Sequence, residues 1–309
     1  MKTLTANAYA KINLGLDVLK KRKDGYHELR MIMQTVNLYD KVTLGINNTN
    51  QIIVKTNLPY LPTDRRNLVY KAAQVFKEKF GIREGVRITL EKKIPVAAGL
   101  AGGSSDAAAT LKLLNEIFQT GLSQQELMDI GVTLGADVPY CLLMGTALSE
   151  GIGELLTRIK PIPDCYILLV KPDVSVSTKF VYSNLKLTSS MQHPNIDAML
   201  HAIDNGDLQE LTHHMDNILQ TVTVPKYPII AEIKNQMREQ GAMTALMSGS
   251  GPTVFGIYKD NNTAERAYAY FKKAGLGKQV YLTKPYWPDN NHFCEKVTAY
   301  NKKQHLYKY

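Results

Sequence analysis

Polar and apolar positions alternate in two stretches of the first hundred residues. Val42, Leu44 and Ile46 fall on every second position, as do Val86, Ile88 and Leu90, so each set lines one face of a strand. Between them the spacing becomes helical. Val69, Ala72, Ala73, Phe76 and Phe80 recur at three and four residues, with Asn67 at the head and Gly81 as the stop. Ala107, Leu111, Leu114 and Phe118 predict a second buried helix, and Ser123 with Glu126 has the spacing of a capping box that opens a third. Further on, residues 166–170 read as an apolar strand and residues 196–203 and 227–237 as helices. Strands at 245–247 and 254–258 flank a glycine-serine turn. From 287 to 309 the chain is polar, aromatic and weakly periodic, which predicts a tail or loosely docked extension.

The pattern breaks at Lys160-Pro161-Ile162-Pro163-Asp164. A chain of 309 residues exceeds the size one core serves well, so two domains are expected, 1–160 and 161–286, followed by the extension 287–309. With 44% hydrophobic and 21% charged residues there is apolar material for a packed core. Cys141, Cys165 and Cys294 are far apart and form no CxxC pair. That pattern supports neither a disulfide framework nor a zinc cluster, and fits free thiols in a reducing compartment. The apolar run at 165–170 is far short of the roughly 20 residues a bilayer requires, and no apolar signal core follows Met1-Lys2-Thr3-Leu4. A cytoplasmic protein without a membrane partner is therefore expected. The net charge of +9 favours polyanions, but the basic residues are dispersed, which points to a small phosphorylated molecule rather than nucleic acid.

Candidate chemistry concentrates in PVAAGLAGGSSDAAATLKLLN, residues 95–115. Gly99, Gly102, Gly103, Ser104 and Ser105 lie just ahead of the second helix, whose first N–H groups and dipole attract an anion. Glycines let the backbone approach that anion closely, and the serines add hydroxyls for phosphate oxygens or a metal. Ser104 stands where a Walker A loop needs lysine, and the glycine spacing is not the Rossmann one. The plain alternative is a tight loop that packs a helix on a sheet. Three more stretches bear on the choice. In Ala10-Lys11-Ile12-Asn13-Leu14 a strand would put Lys11 and Asn13 on one face, and an inward lysine needs a partner. Gly135-Ala136-Asp137-Val138-Pro139 sets a carboxylate among small residues after a helix. Ser248-Gly249-Ser250-Gly251-Pro252-Thr253 is a second glycine-serine turn.

In order and spacing, Lys11 to Leu14, residues 95–109 and residues 248–253 resemble the three motifs of the GHMP kinases, named for galactose, homoserine, mevalonate and phosphomevalonate kinases. Asp24-Gly25-Tyr26-His27, the Asp137 stretch and Glu150-Gly151-Ile152-Gly153-Glu154 resemble the branch acting on a cytidine-diphosphate-linked methylerythritol; the likeness covers about residues 4–286. It implies an α+β, two-domain GHMP kinase fold, the N-terminal part ribosomal protein S5 domain 2-like and the C-terminal part a ferredoxin-like α/β sandwich. The implied activity transfers the γ-phosphoryl of ATP, with Mg2+, to the 2-hydroxyl of that acceptor in the non-mevalonate isoprenoid route, by a monomer or homodimer.

Carried onto this sequence, the resemblance makes Pro95, Val96, Ala97, Ala98, Gly99, Leu100, Ala101, Gly102, Gly103, Ser104 and Ser105 the ATP-phosphate loop. Ser105 becomes the metal contact. Lys11 and Asp137 become the catalytic pair, with Asp137 either base or orienting group. Asn13, Tyr26, His27, Tyr182, Ser248, Gly249, Ser250 and Gly251 fall on the acceptor side, Tyr26 and Tyr182 as the two aromatic faces around a pyrimidine. Tyr182 is otherwise a core aromatic. Asn67 matches an adenine contact, though an N-cap explains it equally. Two alternatives stand beside this reading. One is a GHMP relative with another small alcohol, disfavoured by Tyr26-His27; the other is a non-catalytic nucleotide- or nucleic-acid-binding protein, in which Lys11 and Asp137 would be dispensable. Two departures from the family are Tyr9, where proline is usual, and the extension past 287.

Overall fold

Two long strands organise the first half: β1 (Thr3–Lys21) and β2 (His27–Asn47) pair antiparallel along almost their whole length. The computed structural model describes residues 3–188, 191–288 and 296–298. Register shifts between Tyr9 and Lys11, Asn13 and Gly15, and Val18 and Lys20 bend β1 and re-aim its side chains. Tyr9 does not disturb the start of the strand, which runs unbroken from Thr3. After β2 come β3 (Ile52–Thr56), α1 (Leu68–Phe80), β4 (Gly85–Glu91), α2 (Gly102–Ile117), α3 (Gln124–Val132), α4 (Val138–Leu143), β5 (Thr146–Gly151) and β6 (Leu155–Arg158). The edge of β2 away from β1 is shared: β5 pairs along Leu29 to Gln34 and β4 along Lys41 to Asn47. β3 joins β4 in parallel and β6 joins β5.

The helices follow their sequence signals. Asn67 caps α1 by accepting from Val69 N, and Gly81 ends it in the left-handed conformation (φ 63°). Ser123 and Glu126 form the capping box of α3. α2 begins differently. Its N-cap is Ala101, itself left-handed (φ 56°), and no side chain satisfies the first-turn N–H groups. Ala72, Phe76, Ala107, Leu111 and Leu114 from α1 and α2 bury against Val42, Leu44, Ile88 and Leu90 of the sheet. Phe118 lies just past α2 and is only partly buried.

The chain changes sheets between Arg158 and Tyr166. The second half comprises β7 (Tyr166–Lys171), α5 (Thr178–Asn184), α6 (Ile196–Asp204), α7 (Leu208–His214), α8 (Gln220–Lys226), α9 (Ile229–Glu239), β8 (Thr244–Met247), β9 (Val254–Tyr258), α10 (Asn261–Ala274) and β10 (Gln279–Thr283). Its antiparallel sheet has the order β10-β7-β9-β8. That is a βαββαβ arrangement of ferredoxin type with extra helices in its first crossover. Ile230, Ile233 and Met237 of α9 and Ala264, Ala267 and Phe271 of α10 are buried in the core that includes one face of this sheet. The other face shares a second core with the first half: Ile167, Leu169, Phe255 and Ile257 cluster with Ile12, Leu14 and Ile32 of β1 and β2 and with Met199 and Ile203 of α6. The chain then returns to β2, where Asn37 N donates to Lys284 O and Tyr286 N to Thr35 O (both 2.9 Å).

Of the expected extension, Trp287 is docked through an Nε1–H bond to Thr146 Oγ1 (3.0 Å), and β11 (Lys296–Thr298) pairs with β6. Residues 289–295 and 299–309, with His292, Cys294 and His305, lie outside the described residues. Cys141 and Cys165 are buried free thiols whose burial raises their pKa. Among the described residues no helix is long and apolar enough to cross a membrane.

Candidate active site

A cavity of about 910 Å³ runs between the two halves, with walls from β1, β2, the glycine loop, the Asp137 loop, α5 and the β8–β9 turn. The loop before α2 holds three left-handed residues, Ala97 (φ 51°), Gly99 (φ 75°) and Ala101 (φ 56°), which curl the backbone around the helix start. Lys11 N donates to Leu100 O (3.1 Å), tying the loop to β1. Ser248 Oγ donates to Gly99 O (2.9 Å), tying it to the second turn. At Gly99 the approach is so close that a Cβ would lie 2.2 Å from Ser248 O. This position needs glycine for space as well as for φ.

Beneath the loop is a buried ionic cluster. Asp40 Oδ1 accepts from Lys93 N (2.5 Å) and Ile94 N (2.8 Å), while Lys92 Nζ donates to Asp40 and to Asp106 Oδ2 (2.7 Å) in the first turn of α2. One ammonium thus ties the segment before the glycine loop to the helix after it. Burial pushes the Asp106 carboxyl well above the ordinary carboxylate range, against the pull of Lys92, and its Oδ1 is buried without a partner. The neighbouring serines separate. Ser104 faces the cavity, whereas the buried Ser105 Oγ donates to Tyr9 O (2.7 Å). The structure therefore does not place the Ser105 hydroxyl for a metal; the helix turns it onto β1.

Across the cavity, Lys11 Nζ donates to Asn13 Oδ1 (2.7 Å) and lies 3.8 Å from Asp137 Oδ2. The Lys11 side chain is 7% exposed and that of Asp137 35%, so the cation is held by its surroundings while the carboxylate opens to the cleft. Asp137 occupies the N-cap position of α4 but makes no capping bond, which leaves its oxygens available. Asn67 lines the cavity, but its side chain is engaged locally, accepting from Val69 N (3.1 Å) and donating to Pro62 O (2.8 Å).

At the far end, the rings of His27 and Tyr182 meet with centroids 5.3 Å apart at 35°. Tyr26 is 42% exposed at the rim. Its turn is clasped by Arg22, which bonds Asp24 Oδ2 (3.0 Å) and Glu28 Oε2 (3.1 Å). The two rings in contact are His27 and Tyr182, and Tyr26 lines the same cavity beside them. Burial first, and the Lys21 charge second, lower the His27 pKa. In the β8–β9 turn, Gly249 and Ser250 reach the cavity, and Ser250 Oγ shares a hydrogen bond with Thr178 Oγ1 (2.9 Å) at the start of α5. Leu100, Ser105, Ser248 and Gly251, all expected in the site, support its walls from behind rather than lining them.

Lys21, Arg66, Lys92 and Lys179 also line the cavity and were missed by motif reading. With Lys11 they outnumber Asp106 and Asp137, so the cleft attracts anions along its length. For Lys21 and Lys92 the available signal was a lysine at a strand end; Arg66, ahead of α1, and Lys179, within α5, carried none. A polyanion-binding cleft with a helix N-terminus at one end and a cation–carboxylate pair at its centre suits phosphoryl transfer.

Known proteins agree with that chemistry. Family models described as "GHMP kinases N terminal domain" and "GHMP kinases C terminal" match residues 67–145 and 199–276. The chain belongs to the GHMP kinases. Within them, a relative from Lachnoclostridium phytofermentans called 4-diphosphocytidyl-2-C-methyl-D-erythritol kinase is 56% identical over 284 residues, 92% of this chain and 98% of its own length. One of the same name from Lachnospira eligens is 48% identical over 288 residues, 93% of this chain and 100% of its own. A crystal structure of 4-(cytidine 5'-diphospho)-2C-methyl-D-erythritol kinase superposes with a TM-score of 0.78 at 33% identity, covering 91% of this chain and 99% of that one. A homoserine kinase from Cytophaga hutchinsonii shares the fold (TM-score 0.71, 21% identity, 92% and 95% covered).

Proposed function

We propose that this chain transfers the γ-phosphoryl group of ATP to the 2-hydroxyl of 4-diphosphocytidyl-2-C-methyl-D-erythritol, giving the 2-phosphate and ADP. The observation that carries the reading is that one cavity is lined by a helix-N-terminal glycine loop, the Lys11–Asp137 pair and the His27–Tyr182 ring pair together. Relatives matched over nearly their whole length bear that activity's name.

In this reading the uncapped N–H groups of α2 and the loop backbone receive the triphosphate. The acceptor hydroxyl lies against Asp137, which takes or orients its proton as the oxygen attacks the γ-phosphorus and the bond to the ADP oxygen breaks. Lys11, fixed by Asn13, stabilises the nucleophilic oxygen. The cytosine stacks on Tyr182 with His27 at its edge. A base between two rings at van der Waals contact needs roughly 7 Å, more than the 5.3 Å that separates these centroids. Lys21 and Lys179 face the acceptor's diphosphate, while Asn67 shapes the nucleotide end as an N-cap.

Among the described residues no group of three or more His, Cys, Asp or Glu could hold a metal ion. The donors present, the Ser104 hydroxyl and the Asp137 carboxylate, fit Mg2+ that arrives on the nucleotide and keeps phosphate and water ligands. Bound there, the ion would neutralise phosphate charge. Residues 1–160 and 161–286 form the two units of this reading, and one chain supplies every wall of the cavity. The buried free thiols suit a cytoplasmic enzyme.

The decisive experiment measures ADP release with Mg-ATP and the cytidyl acceptor. Acceptor-dependent turnover that collapses in Asp137→Ala is expected. Nucleotide binding without turnover would remove the named substrate and leave the fold assignment intact.

A further inference from the structure

Met215-Asp216-Asn217 reads as a polar connection between two helices, yet Asn217 is only 1% exposed. The backbone here is drawn to the strand that carries Lys11 and Asn13: Leu16 N donates to Asp216 O and Ile218 N to Leu16 O, both at 3.0 Å. From that anchor the Asn217 side chain reaches the β8–β9 turn. Its Nδ2 donates to Met247 O (2.7 Å) and Gly249 O (2.8 Å), and its Oδ1 accepts from Leu219 N (3.0 Å). A primary amide offers two donor hydrogens, and both go to carbonyls that would otherwise be buried unpaired.

Gly249 stands at the centre of the machinery. A Cβ built on it would lie 3.4 Å from Asn13 Oδ1 and 3.4 Å from Gly99 O. Its backbone therefore fills the gap between the phosphate loop and the amide that holds Lys11. We infer that Asn217 is a positioning residue for phosphoryl transfer: by fixing the Gly249 peptide it sets Asn13 and Lys11 against the glycine loop. The inference rests on the phosphoryl-transfer reading above and names a residue outside its motifs.

The test compares Asn217→Asp and Asn217→Ser with the wild type in the full chain. Aspartate keeps the shape, loses both donors and sets an oxygen against two carbonyls; serine restores one donor. Three quantities are measured: kcat for acceptor-dependent ADP release, binding of a non-hydrolysable ATP analogue by calorimetry, and hydrogen exchange across residues 244–253. Asn217→Asp is expected to lose roughly 100-fold in kcat, the scale of a small misplacement remote from the reacting atoms. Asn217→Ser should lose about tenfold, and both should bind one analogue per chain with Kd within about threefold of wild type. Exchange should quicken at 248–251 and stay unchanged in β7 and β10. General destabilisation would instead lower the number of binding-competent chains without this separation of kcat from affinity. Wild-type kcat in both variants overturns the inference, as does a loss of binding stoichiometry in proportion to activity. If Asn217→Asp does not fold, Asn217→Ser decides by the same criteria. If the wild type itself shows no acceptor-dependent turnover, the proposed function fails, and unchanged exchange at 248–251 in either variant would then overturn the role of Asn217.

Discussion

At the scale of single residues, the site depends on a few side chains whose surroundings fix what they can do. Asp137 caps nothing and faces the cleft beside Lys11, so Asp137→Asn should preserve the fold and lower kcat by roughly 10²- to 10⁴-fold, read from initial rates of ADP release. Gly99→Ala meets two obstacles, a left-handed backbone and the Ser248 carbonyl. It should cost about 1–3 kcal/mol from the backbone alone and weaken nucleotide binding, both measurable by calorimetry. His27 titrates below its ordinary value because it is half-buried and close to Lys21. The unfolded chain therefore takes up this proton more readily than the folded one. The stability linked to His27 is complete above about pH 6.5 and declines as pH falls from there toward the folded pKa. Lys21→Gln should move the imidazole titration upward, followed by the ring proton resonances in NMR.

At the scale of elements, the Asp40–Lys92–Asp106 cluster joins three of them: β2, the segment after β4 and the first turn of α2. Removing the ammonium leaves two buried carboxyls without their shared partner, so Lys92→Met should destabilise the protein by roughly 3–5 kcal/mol in urea titrations. Elements with one exposed face were legible in the sequence. The α1 stripe and the Val86, Ile88, Leu90 alternation survive because water on one side keeps the period intact, whereas α2, buried all round from Ser105 to Leu111, was legible from its large apolar residues among alanines. β1 was legible only around Lys11, because bulges break its alternation and most of it is buried on both faces. The serine pair shows a finer limit. Successive helical residues point about 100° apart, so which hydroxyl faces the ligand depends on helix phase, and composition carries none of that. Asn217 and Lys92 look like surface residues in one dimension; only the partners brought by the fold, 30 and 52 positions away, reveal them as internal struts.

At the scale of the whole molecule, the two halves are not loosely tethered bodies. The core around Ile12, Leu14, Ile167 and Phe255 belongs to both, and the strand return at Lys284 to Tyr286 closes the chain onto β2. Thermal unfolding should accordingly show one transition by circular dichroism and by calorimetry. A nucleotide at 100 times its Kd should add about 2.7 kcal/mol to that stability, a shift in melting temperature that Asp137→Asn should retain. The motif positions foretold the two chemical ends of the site, yet the shared core behind it could not be read from alternation, since β7 and β9 are apolar on both faces.

The contact between Gly99 and Ser248 spans 149 positions of sequence. On the ribosome, the loop proposed to receive phosphate emerges long before the turn that braces it. A growing chain therefore carries the recognition motif for most of its synthesis without the finished grip. Nucleotide capture becomes a late event in the life of the molecule, and its onset reports that the distal turn has arrived and found its seat.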